Sequence, residues 1–132
     1  MSTEDPAQSA AHAGGTASDI PIEPQSLEWM RRLVAIPSIS GTSNLGVIEL
    51  IEAEFARYGY TGQRTYNADQ TRANLWVTVP AADGSTEGGI VISGHTDVVP
   101  VEGQTWDSDP FTLRVEGSRA YGRGVCDMKG FL

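Results

Sequence analysis

The apolar positions of the chain fall into two helical stripes followed by short extended runs. In the segment 26–37 (SLEWMRRLVAIP), Leu27, Met30, Leu33 and Val34 recur at helical spacing. Ser26 stands where a cap would start this helix, and Pro37 disfavours helical backbone at Ile36. A turn-rich stretch separates it from the segment 45–58, where Leu45, Ile48, Ile51, Phe55 and Tyr58 share one face. Gly59 follows at the position of a C-capping glycine.

The period then shortens. Residues 61–66 predict a weak strand, and 73–79 (ANLWVTV) a stronger one, alternating and β-branched. Residues 81–89 read as a polar, Gly-rich turn, and 89–93 (GIVIS) as a continuous apolar run, the pattern of a strand covered on both faces. Residues 112–115 and 120–121 predict a small ribbon turning at Glu116-Gly117, and Met128 onward predicts the opening of a helix. Helices followed by buried strands indicate a layered α/β fold. No internal repeat is present.

Residues 1–24 differ in kind. They are Ala, Ser, Thr, Gly and Pro with scattered acids, cannot bury a face, and predict a disordered tail. His12 lies in that tail and reads as a solvated side chain.

Composition narrows the function classes. A chain of 132 residues allows one domain at most. The net charge of -8 argues against a nucleic-acid groove, which needs clustered Lys and Arg, and disfavours an anionic membrane surface. No apolar run approaches the roughly 18 residues of a membrane span. The first residues lack the basic start and apolar core of a secretory signal. One cysteine cannot form an internal disulfide. The expectation is a soluble protein of a reducing cytosol.

The chemistry concentrates in GIVISGHTDVVP and YGRGVCDMKG. His95 follows the apolar run, and reactive groups collect beyond the carboxyl ends of central strands. Gly94 removes a side chain beside it. In extended backbone, residues i and i+2 point the same way, so Asp97 reaches the ring of His95. A carboxylate on one ring nitrogen sets the tautomer and raises the basicity of the other. Such a pair suits a metal-binding histidine or the general base of a nucleophilic triad; it is also what an incidental surface loop contains. Asp127 follows Gly122 and Gly124 and precedes Met128-Lys129-Gly130. It suits a carboxylate bridging two cations, or the N-cap of the following helix, or both. Cys126 beside Asp127 has its thiolate disfavoured and reads as a small buried residue. Lys129 suits substrate binding or, more simply, a solvated lysine at a helix start, and Arg123 likewise suits substrate or a structural ion pair. Trp106 and Phe111 flank an Asp109-Pro110 bend and are expected to pack it against the domain.

The motifs SGHTDVVPV, TWDSDPFTL and YGRGVCDMKGF resemble the M20 metallopeptidase family, with the likeness running from Ser26 to Leu132. The resemblance implies the first part of a three-layer α/β/α zinc-hydrolase catalytic domain over residues 25–132, cut before a lid domain. It implies that His95 binds a metal ion, that Asp97 orients His95, and that Asp127 bridges two ions of Zn2+ or Co2+. A non-proline cis bond between Asp127 and Met128 is expected with it. The remaining ligands and a glutamate general base are expected beyond Leu132, so this chain alone is expected to be inactive. The implied reaction is hydrolysis of a small acyl amino acid. The WDSDPF stretch and Phe131 lean toward N2-acetyl-L-ornithine, with a succinylated diamino acid, a dipeptide or another acyl amino acid as alternatives. A non-catalytic binding fragment is the reading from another class. Nucleic acid and membrane are not expected as partners, and homodimerisation of the full-length protein stays open.

Overall fold

A computed structural model describes residues 23–132. The expected tail, with His12, falls mostly on residues 1–22 and so outside the described residues. Helix α1 (Pro24–Val34) begins two residues before Ser26. Its cap is Glu23, without a side-chain cap bond, and the Glu23 carbonyl accepts from the Leu27 N–H at 3.0 Å. Pro24 occupies the first helical position, where a missing N–H costs nothing. The proline therefore starts the helix, and Ser26 is not its cap. Leu33 and Val34 are fully buried.

Helix α2 (Leu45–Arg57) ends one residue short of Tyr58, and Gly59 takes the left-handed conformation at φ +83° that ends a helix without a Cβ clash. Its buried positions are Val47 and Ile48. Tyr58, counted from periodicity on the apolar face, lies past the last helical residue and is exposed.

Strands β1 (Gly62–Tyr66) and β2 (Ala73–Val77) form an antiparallel hairpin with Gly62 opposite Val77 and Tyr66 opposite Ala73. Helix α2 packs on this hairpin. Arg64 ties the two together through Glu52, its Nε donating to Oε2 at 3.0 Å. A second ribbon pairs β3 (Arg114–Glu116) with β4 (Arg119–Tyr121), turning at Gly117 as the sequence predicts. The core is small: Leu33, Val34, Val47, Ile48, Ala73, Val98 and Leu113. The architecture is mixed α/β.

The segment 89–93 departs from expectation. It is not a strand, and Ile90, Val91 and Ile92 are 91%, 71% and 77% exposed. A strand covered on both faces needs hydrogen-bonded neighbours and a layer above and below. Among the described residues nothing pairs with it. The expected helix from Met128 is also absent. In its place a kinked turn, Val125–Lys129, closes on a bond from the Lys129 N–H to the Gly124 carbonyl at 2.7 Å. Asp127 and Met128 have non-helical backbone, and the bond between them is cis.

Candidate metal centre

Two backbone segments build the site. Ile39 and Val98 form a parallel bridge. The Val98 N–H donates to the Ser38 carbonyl, and the Ser40 N–H donates to the Val98 carbonyl, both at 2.9 Å. The buried Ser38 hydroxyl donates to the Thr96 carbonyl at 2.6 Å. Asn44 adds a further clamp. Its amide exchanges two 2.9 Å bonds with the Ala73 backbone and donates to the Thr96 hydroxyl at 3.1 Å. An Asn side chain thus substitutes for a strand neighbour at the start of β2 and fixes the loop that carries His95.

His95 sits between two carboxylates. Its Nε2 lies 2.8 Å from Asp127 Oδ1. Its Nδ1 lies 3.0 Å from the carbonyl oxygen of Asp97 and 3.3 Å from Asp97 Oδ1. The backbone carbonyl is the nearer acceptor, so the carboxylate expected to hold the ring shares that task with its own main chain. Asp97 Oδ2 in turn accepts from the Ser40 hydroxyl at 2.5 Å. The His95 N–H approaches Met128 Sδ at 3.3 Å. A Cβ at Gly94 would stand 3.2 Å from Met128 Cε and 2.8 Å from Leu132 Cδ2, so any larger residue would push these side-chain ends aside.

Both ring nitrogens face oxygen acceptors, which favours the doubly protonated imidazolium. The His95 pKa is accordingly raised, chiefly by the hydrogen bond to Asp127, with the Asp97 carbonyl adding to it. The Asp97 carboxyl is lowered, first by the hydrogen bond from Ser40. His95, Asp97 and Asp127 are all exposed, so water screens these interactions.

The turn that carries Asp127 is anchored from behind. Lys129, read from sequence as solvated, is 1% exposed. Its Nζ donates to the carbonyls of Leu33 at 2.8 Å and Ile36 at 2.5 Å, at the C-terminal end of α1. Burial pushes its pKa down to about 8. Cys126 is exposed rather than buried, because the turn aims it outward. Arg123 makes no ion pair among the described residues. Its guanidinium lies over the Trp106 ring at 4.9 Å and donates to the Gln104 side chain. Trp106 and Phe111 are half-buried, and Asp109 organises their bend by accepting from the Phe111 N–H and the Thr112 hydroxyl, each at 2.9 Å.

One imidazole nitrogen and one carboxylate form a donor set suited to Zn2+ or Co2+. Among the described residues no group of three His, Cys, Asp or Glu side chains is placed to hold a metal ion. Two such donors do not by themselves complete a metal site. Ser38, Ser40 and Asn44 escaped the sequence reading as site residues, as did the anchoring role of Lys129. Only the turn-like PSIS stretch and the polarity of Asn44 before an apolar helix hinted at them.

The mixed α/β fold fits the family that comparisons with known proteins find. Residues 91–132 match Peptidase family M20/M25/M40, and the chain belongs to that family. Its relatives include the acetylornithine deacetylase of Erwinia tasmaniensis, 37% identical over 115 residues, covering 82% of this chain and 29% of the relative. The acetylornithine deacetylases of Salmonella arizonae and Salmonella agona are each 36% identical, covering 82% and 83% of this chain and 29% and 30% of themselves. The chain thus spans about three tenths of the length of these relatives. No helix of the described residues is long and apolar enough to cross a membrane.

Proposed function

We propose that this chain is part of a metal-dependent amidohydrolase that removes the acetyl group from N2-acetyl-L-ornithine, giving ornithine and acetate. The observation that carries the reading is the placement of His95 Nε2 against Asp127 Oδ1 at 2.8 Å. A position that holds a proton between an imidazole and a carboxylate is one where a divalent cation replaces it readily. The substrate is taken from the relatives, whose names state that activity.

In this reading His95 and Asp127 would hold the metal, Zn2+ or Co2+, with Asp127 as the carboxylate that two ions would share. The bound metal supplies Lewis acidity toward the amide carbonyl and a more acidic water. Asp97 and its own carbonyl accept from His95 Nδ1–H, so that Nε2, on losing its proton, would offer its lone pair to a cation. Ser40 keeps the Asp97 carboxylate charged and in place. The other ligands, the glutamate base and a lid domain are proposed to lie outside these 132 residues. Residues 25–132 would then be the first part of a three-layer catalytic domain, and residues 1–24 a tail. On this reading the chain by itself binds metal weakly and does not turn over. A cytoplasmic location accompanies it, since Cys126 is an exposed free thiol.

The test measures acetate release from N2-acetyl-L-ornithine, with Zn2+ or Co2+ added, by this chain and by a complete protein containing it. Release by the complete protein alone is expected. Turnover by the 132-residue chain would end the fragment reading. A complete protein that released only succinate from a succinylated diamino acid would move the substrate.

A further inference from the structure

Lys129 is the one buried charged side chain among the described residues. No carboxylate among them lies within ion-pair distance of its Nζ. A buried ammonium without a counter-ion costs stability, and an apolar side chain of like size is often neutral or better. Its partners do not depend on it either. The Leu33 carbonyl also accepts from the Ile36 N–H at 3.3 Å, and the Ile36 carbonyl from the Ser38 N–H at 2.9 Å. Stability alone therefore gives no reason for a lysine here.

Its position gives one. Lys129 closes the Val125–Lys129 turn at one end and grips the C-terminal end of α1 at the other. Its stem crosses Gly124, which is left-handed at φ +84° and whose added Cβ would meet Lys129 Cδ at 3.2 Å and Val98 Cγ1 at 2.7 Å. Val98 directly follows Asp97, and Asp127 stands two residues before Lys129. The same contact thus references both halves of the site to one helix end.

We infer that Lys129 is a positioning residue for Asp127: its bonds to the Leu33 and Ile36 carbonyls set where the carboxylate meets His95. The inference deepens the proposed metal centre and rests on it. The ammonium makes no contact with substrate or metal in this role. It holds the turn in register against the helix, and the helix end carries the partial negative charge that suits a cation.

The test uses a complete protein containing this chain, with Co2+ as the probe. Lys129→Met and Lys129→Gln are compared with the parent protein by calorimetric Co2+ titration and by thermal unfolding. With no metal present, the NMR signals of the Met128 methyl and the His95 amide are also followed. For Lys129→Met the melting temperature is expected to hold or rise, while Co2+ affinity falls about ten-fold. The Met128 and His95 signals are expected to shift. Lys129→Gln keeps a donor for the carbonyls and should fall between. A folded Lys129→Met variant with parental Co2+ affinity and unmoved signals overturns the inference. So does a loss of affinity that tracks a loss of melting temperature, since that is a structural role only. If Lys129→Met does not fold, Lys129→Gln is judged by the same readouts. His95→Ala and Asp127→Ala report on the centre itself. Should the parent bind no Co2+, or bind it regardless of both residues, the metal centre falls, and Lys129 is judged on the metal-free signals.

Discussion

The imidazole of His95 and the carboxylate of Asp127 meet at 2.8 Å although 32 positions separate them in the chain. Neither lies in a regular helix or strand. Their meeting depends on two irregular segments being held from outside, one by Ser38, Ser40 and Asn44, the other by Lys129.

The pairing of His95 with Asp97 should matter to activity where the neighbouring thiol does not. In a complete protein containing this chain, Asp97→Ala is expected to lower kcat/KM for acetylornithine roughly 10- to 100-fold, the usual cost of losing a partner behind a metal-bound histidine. Cys126→Ala should stay within about two-fold, as for a surface change of about 0.5 kcal/mol. Equal losses would show that the His-x-Asp pair has been misread.

Asn44 offers a stability test. Its truncation to Ala removes both bonds to the Ala73 backbone and the bond to Thr96, leaving partly buried backbone groups unpaired. Asn44→Ala should cost about 2 kcal/mol in urea unfolding, in the range for stranded polar groups. A cost below about 0.5 kcal/mol would mean that water replaces the amide.

Burial separates two kinds of apolar residue that look alike in sequence. Leu33→Ala empties a fully buried site and should cost about 3 kcal/mol. Ile92→Thr, at a side chain 77% exposed, should change stability by less than about 0.5 kcal/mol in this chain. Denaturant midpoints of the two variants decide it; a large cost at Ile92 would show that the apolar run is covered after all.

Asp109 carries a pH signature. Its pKa is lowered, first by the hydrogen bond from the Phe111 N–H and then by that from the Thr112 hydroxyl. A carboxyl whose folded value is depressed contributes stability that is complete above the ordinary carboxylate range. That contribution is lost as pH falls through the lowered folded value. Carbon-detected NMR should find Asp109 titrating below an ordinary aspartate. Thr112→Ala should bring its midpoint part of the way back up; an unmoved midpoint would remove the hydroxyl from the account.

Local elements were legible in the residue pattern wherever one short segment sufficed. Helical spacing and Gly59 located α2, alternation located β2, and Glu116-Gly117 located the second ribbon. His95, Asp97 and Asp127 were legible as candidates because few residue types do metal or acid–base chemistry. The run 89–93 was misread, since its pattern reports a capacity for burial and says nothing of whether neighbours are at hand.

Lys129 and Cys126 mark the boundary most clearly. A lysine and a cysteine predict exposure and burial, and the chain reverses both. Side-chain chemistry states only what each group prefers on average. Which group is buried depends on how the turn around Asp127 docks on the end of α1, a contact between residues 93 and 96 positions apart. Composition and periodicity carry local preference. Long-range contacts choose among preferences, because the energy of a buried group is set by neighbours that only folding supplies.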